Sequence, residues 1–161
     1  KGSSGNPGTM EGMIVYNRYN LLGTIEKNTD AGIYGRLDKT EELFGKKELV
    51  ETAAKEEIVT GPAKMRCFLE DEIREFDIEV MKVDQETAEI NKGMMIRVTD
   101  EELLEKTGGI IQGMSGSPIL QDGKLVGAVT HVLVNDPTRG YGILAENMVS
   151  QCVWEEQAQV S

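Results

Sequence analysis

Basic residues, cysteine, histidine and long apolar runs are all scarce in this sequence. Its 161 residues include 17 Lys and Arg against 28 Asp and Glu, giving a formal net charge of -11. No basic stripe is available to neutralise phosphates, so nucleic-acid binding is not predicted. The apolar runs are far too short for a membrane-spanning helix. The chain begins without an initiator Met, and we therefore expect a fragment or a mature form of a longer protein.

The few cysteines and the lone histidine limit the chemistry further. Cys67 and Cys152 are far apart and belong to no CxxC or Cys/His spacing. Neither a zinc site nor a disulfide framework is therefore indicated, and buried free thiols are favoured over a disulfide. His131 is the one histidine of the chain.

Short β-like runs separated by Gly, Asn and Asp fill most of the chain after residue 12. Such turn-separated strands predict a β-barrel or a β-sandwich within one compact unit. Residues 1–12 are rich in Gly and Ser and are predicted to be a loop or a disordered end. The acidic stretch Thr40 to Ile58 lacks alternation and predicts a helix or a long solvated connection. The predicted strands are Met13–Tyr16, Leu21–Ile25, Ala31–Leu37, Lys64–Leu69, Arg74–Val83 and Met94–Val98.

Two helices and a hairpin are predicted in the second half. Thr99 to Glu102 has the form of a capping box, which opens a helix that should stop at Gly108-Gly109. The segment Ile119 to Val134 predicts a hairpin, because Asp122-Gly123 between apolar runs is a strong turn signal. A last strand follows Pro137, and a C-terminal helix is predicted near Ala145 to Glu156.

The segment from Gly113 to Pro118 places Ser115 among glycines just before a strand. A nucleophilic serine needs an exposed hydroxyl on a tight turn, with backbone N–H groups pointing at the oxygen that becomes negative during acyl transfer. In that interpretation the N–H groups of Gly113 and Ser115 form the oxyanion hole, and Gly116 leaves space beside the attacked carbonyl. The alternative is an ordinary glycine-serine turn.

The stretch from Gly108 to Ile143 resembles, nearly residue for residue, the signature of the stage IV sporulation protein B peptidases. That signature has three blocks in order. The first is GG, two hydrophobic residues and QGMSGSP; the second is GK, two hydrophobic residues and GAVTH; the third is NDPTRGYG. A weaker resemblance reaches back through Asn28-Thr29-Asp30 to Gly5-Asn6-Pro7-Gly8. It implies a mainly β, chymotrypsin-like barrel with short helices, truncated at its N-terminus. Residues 1–161 would form the C-terminal part of a serine peptidase domain.

The resemblance also implies roles for individual residues. Asp100 matches the acid of the catalytic triad, although an Asp at this position is equally suited to the first turn of a helix. Asp136 is the second candidate for the acid. Thr130, His131 and Val132 match a strand that lines the substrate groove.

The histidine that acts as general base in that family lies in an upstream Gly-His segment, and no Gly-His occurs here. His131 matches the groove strand instead. If Gln121 pairs with Lys124, Ser115 lies opposite Thr130, and strand alternation would turn His131 away from the serine. This chain alone is therefore expected to be inactive, and truncation explains the absent base better than decay does.

The resemblance implies a serine endopeptidase that cleaves a regulatory protein during endospore formation and needs no cofactor and no metal. It also implies an upstream PDZ domain, a membrane anchor and export from the forespore into the intermembrane space. A non-catalytic peptide-binding or scaffold domain with a protease-like shell is the alternative.

Overall fold

The computed structural model describes residues 17, 21–38, 40–41 and 49–152. The predicted loop at 1–12 and the predicted strand Met13–Tyr16 lie outside this part, as do residues 42–48 and 153–156. The elements in chain order are β1 (Gly23–Thr29), β2 (Gly32–Leu37), β3 (Gly61–Leu69), β4 (Glu72–Val83), β5 (Met94–Val98), α1 (Glu101–Thr107), β6 (Pro118–Gln121), β7 (Lys124–Leu133), β8 (Asp136–Leu144) and α2 (Ala145–Ser150), with single 3-10 turns at Lys55–Glu57 and Ile90–Lys92.

Strands β3 to β8 close into an antiparallel barrel in the order β3-β4-β5-β8-β7-β6. Alternate residues of β3, β4 and β5 are buried, as expected for strands with one face toward a core. The barrel interior is filled by apolar side chains, of which the largest fully buried are Phe76, Met65, Ile78, Met94 and Ile96. The prediction of a mainly β barrel with short helices is confirmed.

Strands β1 and β2 form a separate two-stranded hairpin beside the barrel. Asp30 and Ala31 make its turn, because Thr29 pairs with Gly32. Tyr34 is buried, and its hydroxyl donates to the carbonyl of Ala31 at 2.9 Å. The Lys27 ammonium donates to the carbonyl of Gln151 at 2.9 Å, just beyond α2. The hairpin is thereby held against the barrel.

The acidic segment that begins at Thr40 is helical at Thr40 and Glu41. Where the structure resumes, Thr52 forms a parallel bridge to Leu125 in β7, and Ala53 and Ile58 are buried in the core. The prediction of a helix or a solvated connection is therefore incomplete, because the end of this segment packs against the barrel.

Helix α1 begins one residue later than the capping-box pattern predicts. Its N-cap is Asp100, whose carboxylate accepts from the N–H of Leu103 at 2.9 Å. Thr99 instead donates its backbone N–H to Asp77 in β4. Gly108 ends the helix with a left-handed φ of 73°, as predicted for a glycine C-cap.

The predicted hairpin is β6 and β7, joined by Asp122-Gly123 with φ values of 50° and 78°. Positive φ at both turn residues is typical of a type I′ turn. Within the described part of the chain, no helix is long and apolar enough to cross a membrane.

Candidate active site

The loop before β6 consists of two consecutive tight turns. The Met114 N–H donates to the carbonyl of Ile111, and the Ser117 N–H donates to the carbonyl of Met114, each at 3.1 Å. Gly113 and Gly116 are the third residues of the two turns and have φ values of 102° and 87°. Residues with a side chain rarely adopt such values, which explains why glycine occupies both of these turn positions.

Ser115 is exposed at the second position of the second turn. Its hydroxyl donates to the carbonyl of Thr130 in β7 at 3.2 Å. The neighbouring Gly116 N–H donates to the carbonyl of Val129 at 2.7 Å, and the Val129 N–H donates to Ser117 at 3.0 Å. These bonds fix the loop against β7 and leave the serine side chain facing outward.

The two backbone N–H groups assigned to the oxyanion hole are available for a ligand. Neither Gly113 nor Ser115 donates its backbone N–H to another group within the described part of the chain. A Cβ added to Gly116 would meet nothing within 4 Å, so the space beside Ser115 is open. An anionic oxygen here could accept both N–H groups, and the oxyanion-hole assignment stays a prediction.

Met114 anchors the turns from below. Its side chain is only 5% exposed and belongs to the barrel core. Burial of this apolar side chain holds the loop against the barrel, since withdrawing it would expose apolar surface to water.

Ser115 opens onto a cleft of about 330 Å³. It is lined by the tip of the β1–β2 hairpin and by strand β7, together with single residues from β8, from α2 and from the 3-10 turn at Ile90–Lys92. Thr130 and His131 line it, whereas Val132 is partly exposed outside the lining. The lining residues are Asp30, Ala31, Gly32, Ile33, Tyr34, Asn91, Ser115, Gly116, Ala128, Val129, Thr130, His131, Ile143 and Met148.

The expected register between Ser115 and β7 is wrong beyond Leu120. Gln121 pairs with Lys124 as predicted, but a bulge then makes Ile119 pair with Gly127, one residue further along β7. A second irregularity, between Val129 and His131, interrupts the pairing of β7 with β8. Bulges disturb strand alternation, which a two-residue repeat cannot anticipate.

His131 is among the residues that line the Ser115 cleft. Its ring nevertheless forms no hydrogen bond with Ser115, whose hydroxyl bonds to Thr130. Thr130 is tied in turn to Asn91, because its hydroxyl donates to the Asn91 carbonyl at 2.6 Å. Within the described residues, the serine therefore has a carbonyl partner and no base.

Asp100 lies outside the lining of the Ser115 cleft. Besides capping α1, its carboxylate accepts from the N–H of Asp77 at 3.1 Å. The alternative role of Asp100 at the start of a helix is thus confirmed, and its role as triad acid stays a prediction.

Asp136 is engaged at the start of β8. Its carboxylate accepts from the Thr138 hydroxyl and from the Arg139 guanidinium, both at 2.5 Å. The hydrogen bond from Thr138, followed by that from Arg139, holds the pKa of Asp136 below its usual value. These contacts tie the Asp136 side chain to Thr138 and Arg139, two residues of the same strand.

The hairpin tip is the part of the site that the sequence did not indicate. Asp30 and Tyr34 line the cleft, yet no role was assigned to them. Asn28-Thr29-Asp30 belongs to the weaker upstream resemblance, which was the one available signal. No local pattern shows that a hairpin 80 or more positions before Ser115 lines the same cleft. Among the described residues, no group of His, Cys, Asp and Glu could hold a metal ion.

Comparison with solved structures finds the same architecture in a bacterial protease. The active form of the Rv3671c protease from M. tuberculosis matches with a TM-score of 0.55 and 15% identity, covering 80% of this chain and 56% of that one. The inactive form matches with a TM-score of 0.53 and 14% identity, covering 80% and 64%. At such identities the likeness establishes the fold, which is chymotrypsin-like.

A search of curated protein sequences gives no significant match. The chain spans little more than half the length of the active protease structure. A family model described as SpoIVB peptidase S55 matches residues 1–149, nearly the whole chain. The chain belongs to the SpoIVB peptidase S55 family.

Proposed function

We propose that this chain is the nucleophile-bearing part of a serine endopeptidase. The observation that carries the proposal is the position of Ser115, exposed between two left-handed glycines and facing a peptide-sized cleft. An ordinary glycine-serine turn has no need for two unpaired N–H groups beside the hydroxyl or for a cleft in front of it. Acyl transfer needs both.

The chemistry follows from these parts. A peptide laid along β7 presents its carbonyl to Ser115, and the Ser115 oxygen forms a bond to the carbonyl carbon while its proton passes to a histidine base. The N–H groups of Gly113 and Ser115 stabilise the resulting oxyanion. The C–N bond then breaks, the leaving amine takes the proton from the histidine, and water hydrolyses the acyl-enzyme.

The base in this scheme is a histidine from outside these 161 residues, as the family resemblance implies. His131 makes no hydrogen bond to Ser115 and lines the groove instead. We assign Thr130, His131 and Val132 to peptide binding, and Asp100 to the acid that orients the base. No cofactor enters the mechanism.

Family membership supports a finer proposal about the biological role. The substrate is a regulatory protein of a sporulation pathway, and the enzyme acts in the intermembrane space after export from the forespore. A PDZ domain and a membrane anchor precede the peptidase part.

Cleavage by a longer form of the protein, one that includes an upstream Gly-His segment, tests the proposed function. We expect that form to cleave peptides and Ser115→Ala to abolish cleavage with little change in Tm, because a loop serine seldom supports the fold. The neighbouring exposed turn variant Asp122→Asn is the control and should keep full activity. Unchanged cleavage by Ser115→Ala would contradict the assignment.

A non-catalytic peptide-binding domain is the second candidate. The hydrogen bond between the Ser115 hydroxyl and the Thr130 carbonyl favours it, because the serine is engaged without any base. In that case the longer form would bind peptides in the cleft and release them uncut.

A further inference from the structure

The tip of the β1–β2 hairpin places one carboxylate in the wall of the Ser115 cleft. Asp30 stands at the turn of the hairpin, is exposed and lines the cleft. Its carboxylate forms no ion pair or hydrogen bond with any other residue that the structure describes. An unpaired carboxylate facing a groove is available to a charged ligand.

The surroundings of Asp30 favour a cation with an apolar stem. Asp30 is the one acidic residue in the lining, which includes neither Lys nor Arg. Ile33, Tyr34 and Met148 contribute apolar surface to the same cleft. Lysine and arginine side chains lay their methylene stems along such surface while the charged end reaches a carboxylate or an aromatic face.

The hairpin tip has a defined shape, which gives the carboxylate a fixed place. The Tyr34 hydroxyl bonds to the Ala31 carbonyl across the turn, and the Tyr34 ring lies 3.7 Å from where a Cβ on Gly32 would stand. The buried Tyr34 thus supports the turn from beneath. Asp30 therefore belongs to a formed wall rather than to a loose loop end.

We propose that Asp30 selects peptides with a lysine or arginine side chain at the position that faces the hairpin tip. The inference rests on the proposed peptide cleft and deepens it by naming the class of substrate. A carboxylate in the groove attracts a basic side chain and repels an acidic one, so peptides with Asp or Glu at the same position should bind more weakly.

Peptide binding tests this without requiring turnover. We would use fluorescein-labelled hexapeptides that carry Lys, Gln or Glu at one varied position, with one peptide set for each of the six positions. Binding of each peptide is measured by titration with the full-length protein carrying Ser115→Ala. At one position we expect Lys to bind about fivefold tighter than Gln, and Glu to bind most weakly, as for a partly exposed ion pair. Raising the salt concentration should reduce the difference.

Two variants assign that preference to Asp30. Asp30→Asn should abolish the Lys preference, and the turn should survive because Asn retains the turn propensity of Asp. Asp30→Lys should reverse the preference in favour of Glu. The matched control is Asp71→Asn, an exposed aspartate in the two-residue turn between β3 and β4. It should leave the preference unchanged.

The outcomes separate this inference from the proposed function. Equal binding of all three peptides, absence of any binding, or a Lys preference that survives Asp30→Asn would overturn the role of Asp30. Equal slowing of cleavage of all peptides by Asp30→Asn would also overturn it and would indicate a role in the chemistry. Charge-selective binding without cleavage would support Asp30 and contradict the peptidase.

Discussion

Ser115 combines two features that a single residue seldom shows together, exposure and a fixed position. Its hydroxyl has one partner among the described residues, the Thr130 carbonyl at 3.2 Å. A carbonyl accepts a hydrogen bond but takes no proton, so this contact orients the hydroxyl and leaves it a weak nucleophile. A histidine base would have to draw the hydroxyl away from Thr130.

A single substitution separates the helix-cap role of Asp100 from its proposed triad role. Asp100→Asn in the longer form retains a side-chain oxygen for the Leu103 N–H, and Asn caps helices nearly as well as Asp, but its amide nitrogen cannot accept from the Asp77 N–H. We expect a small fall in Tm. If Asp100 is the triad acid, kcat/KM should fall by about 10⁴, because the histidine then presents the wrong tautomer.

Thermal melting and steady-state kinetics on the same Asp100→Asn sample check this. Near-normal kcat/KM would remove Asp100 from the triad and leave it as a helix cap. A large fall in Tm together with the fall in activity would point to misfolding, and Asp100→Ser, which also caps, would then show whether capping alone restores activity.

At the scale of single elements, the loop between α1 and β6 depends on the core below it. Its two turns use left-handed glycines, and the residue between them and the barrel is the buried Met114. The shape of this loop is therefore coupled to packing in the barrel.

Substitutions of Met114 measure that coupling. Met114→Leu conserves volume and should cost less than about 1.5 kcal/mol of unfolding free energy. Met114→Asp buries a charge and should cost about 3 kcal/mol or more, with loss of activity in the longer form. Denaturant unfolding and peptide cleavage give both quantities. Full stability of Met114→Asp would show that the loop does not depend on this anchor.

A group of charged surface side chains joins helix α1 to strand β4 and to the turn between β3 and β4. Glu102 accepts from Arg74 and pairs with Lys106, which also contacts Glu70. The hydrogen bond from Arg74, then that from Lys106, lowers the pKa of Glu102 to about 2. The two glutamates and Lys106 are solvent-exposed and Arg74 is only partly buried, so each pair contributes modestly.

The lowered pKa of Glu102 predicts an acid-dependent contribution to stability. Because its pKa falls from 4.5 unfolded to about 2 folded, the contribution is present above about pH 4.5 and is lost as the pH falls toward 2. Glu102→Gln should lower Tm slightly at pH 7 and converge with the wild type near pH 2. Glu101→Gln is the neighbouring control. A Tm difference that persists at pH 2 would contradict this account.

In the molecule as a whole, local sequence signals were enough to predict helix ends and turns, whereas the functional site depends on contacts between residues that are distant in sequence. The helix stop at Gly108 and the turn at Asp122-Gly123 are local and were predicted correctly. The bulge between Leu120 and Ile119 shifts the register of β6 against β7, and no short sequence pattern encodes it.

The same distinction explains what was missed in the cleft. Ser115 could be identified because its glycines mark a particular backbone shape. Asp30 could not, since its place depends on a hairpin that packs against the barrel through contacts such as Lys27 with Gln151. The sequence places Met114 beside the serine but does not show that the barrel interior encloses its side chain.

We propose that Ser115 is a nucleophile whose base lies outside these 161 residues, and active-site labelling distinguishes this from an internal base. A fluorophosphonate probe is incubated with the 161-residue chain, with a longer form that includes an upstream Gly-His segment, and with that form carrying Ser115→Ala or His131→Ala. The mass shift and its position are read by mass spectrometry of peptide fragments. We predict rapid labelling of Ser115 in the longer form and in His131→Ala, and none in the short chain or in Ser115→Ala. Rapid labelling of the short chain, lost in His131→Ala, would show that His131 is the base and would contradict the account.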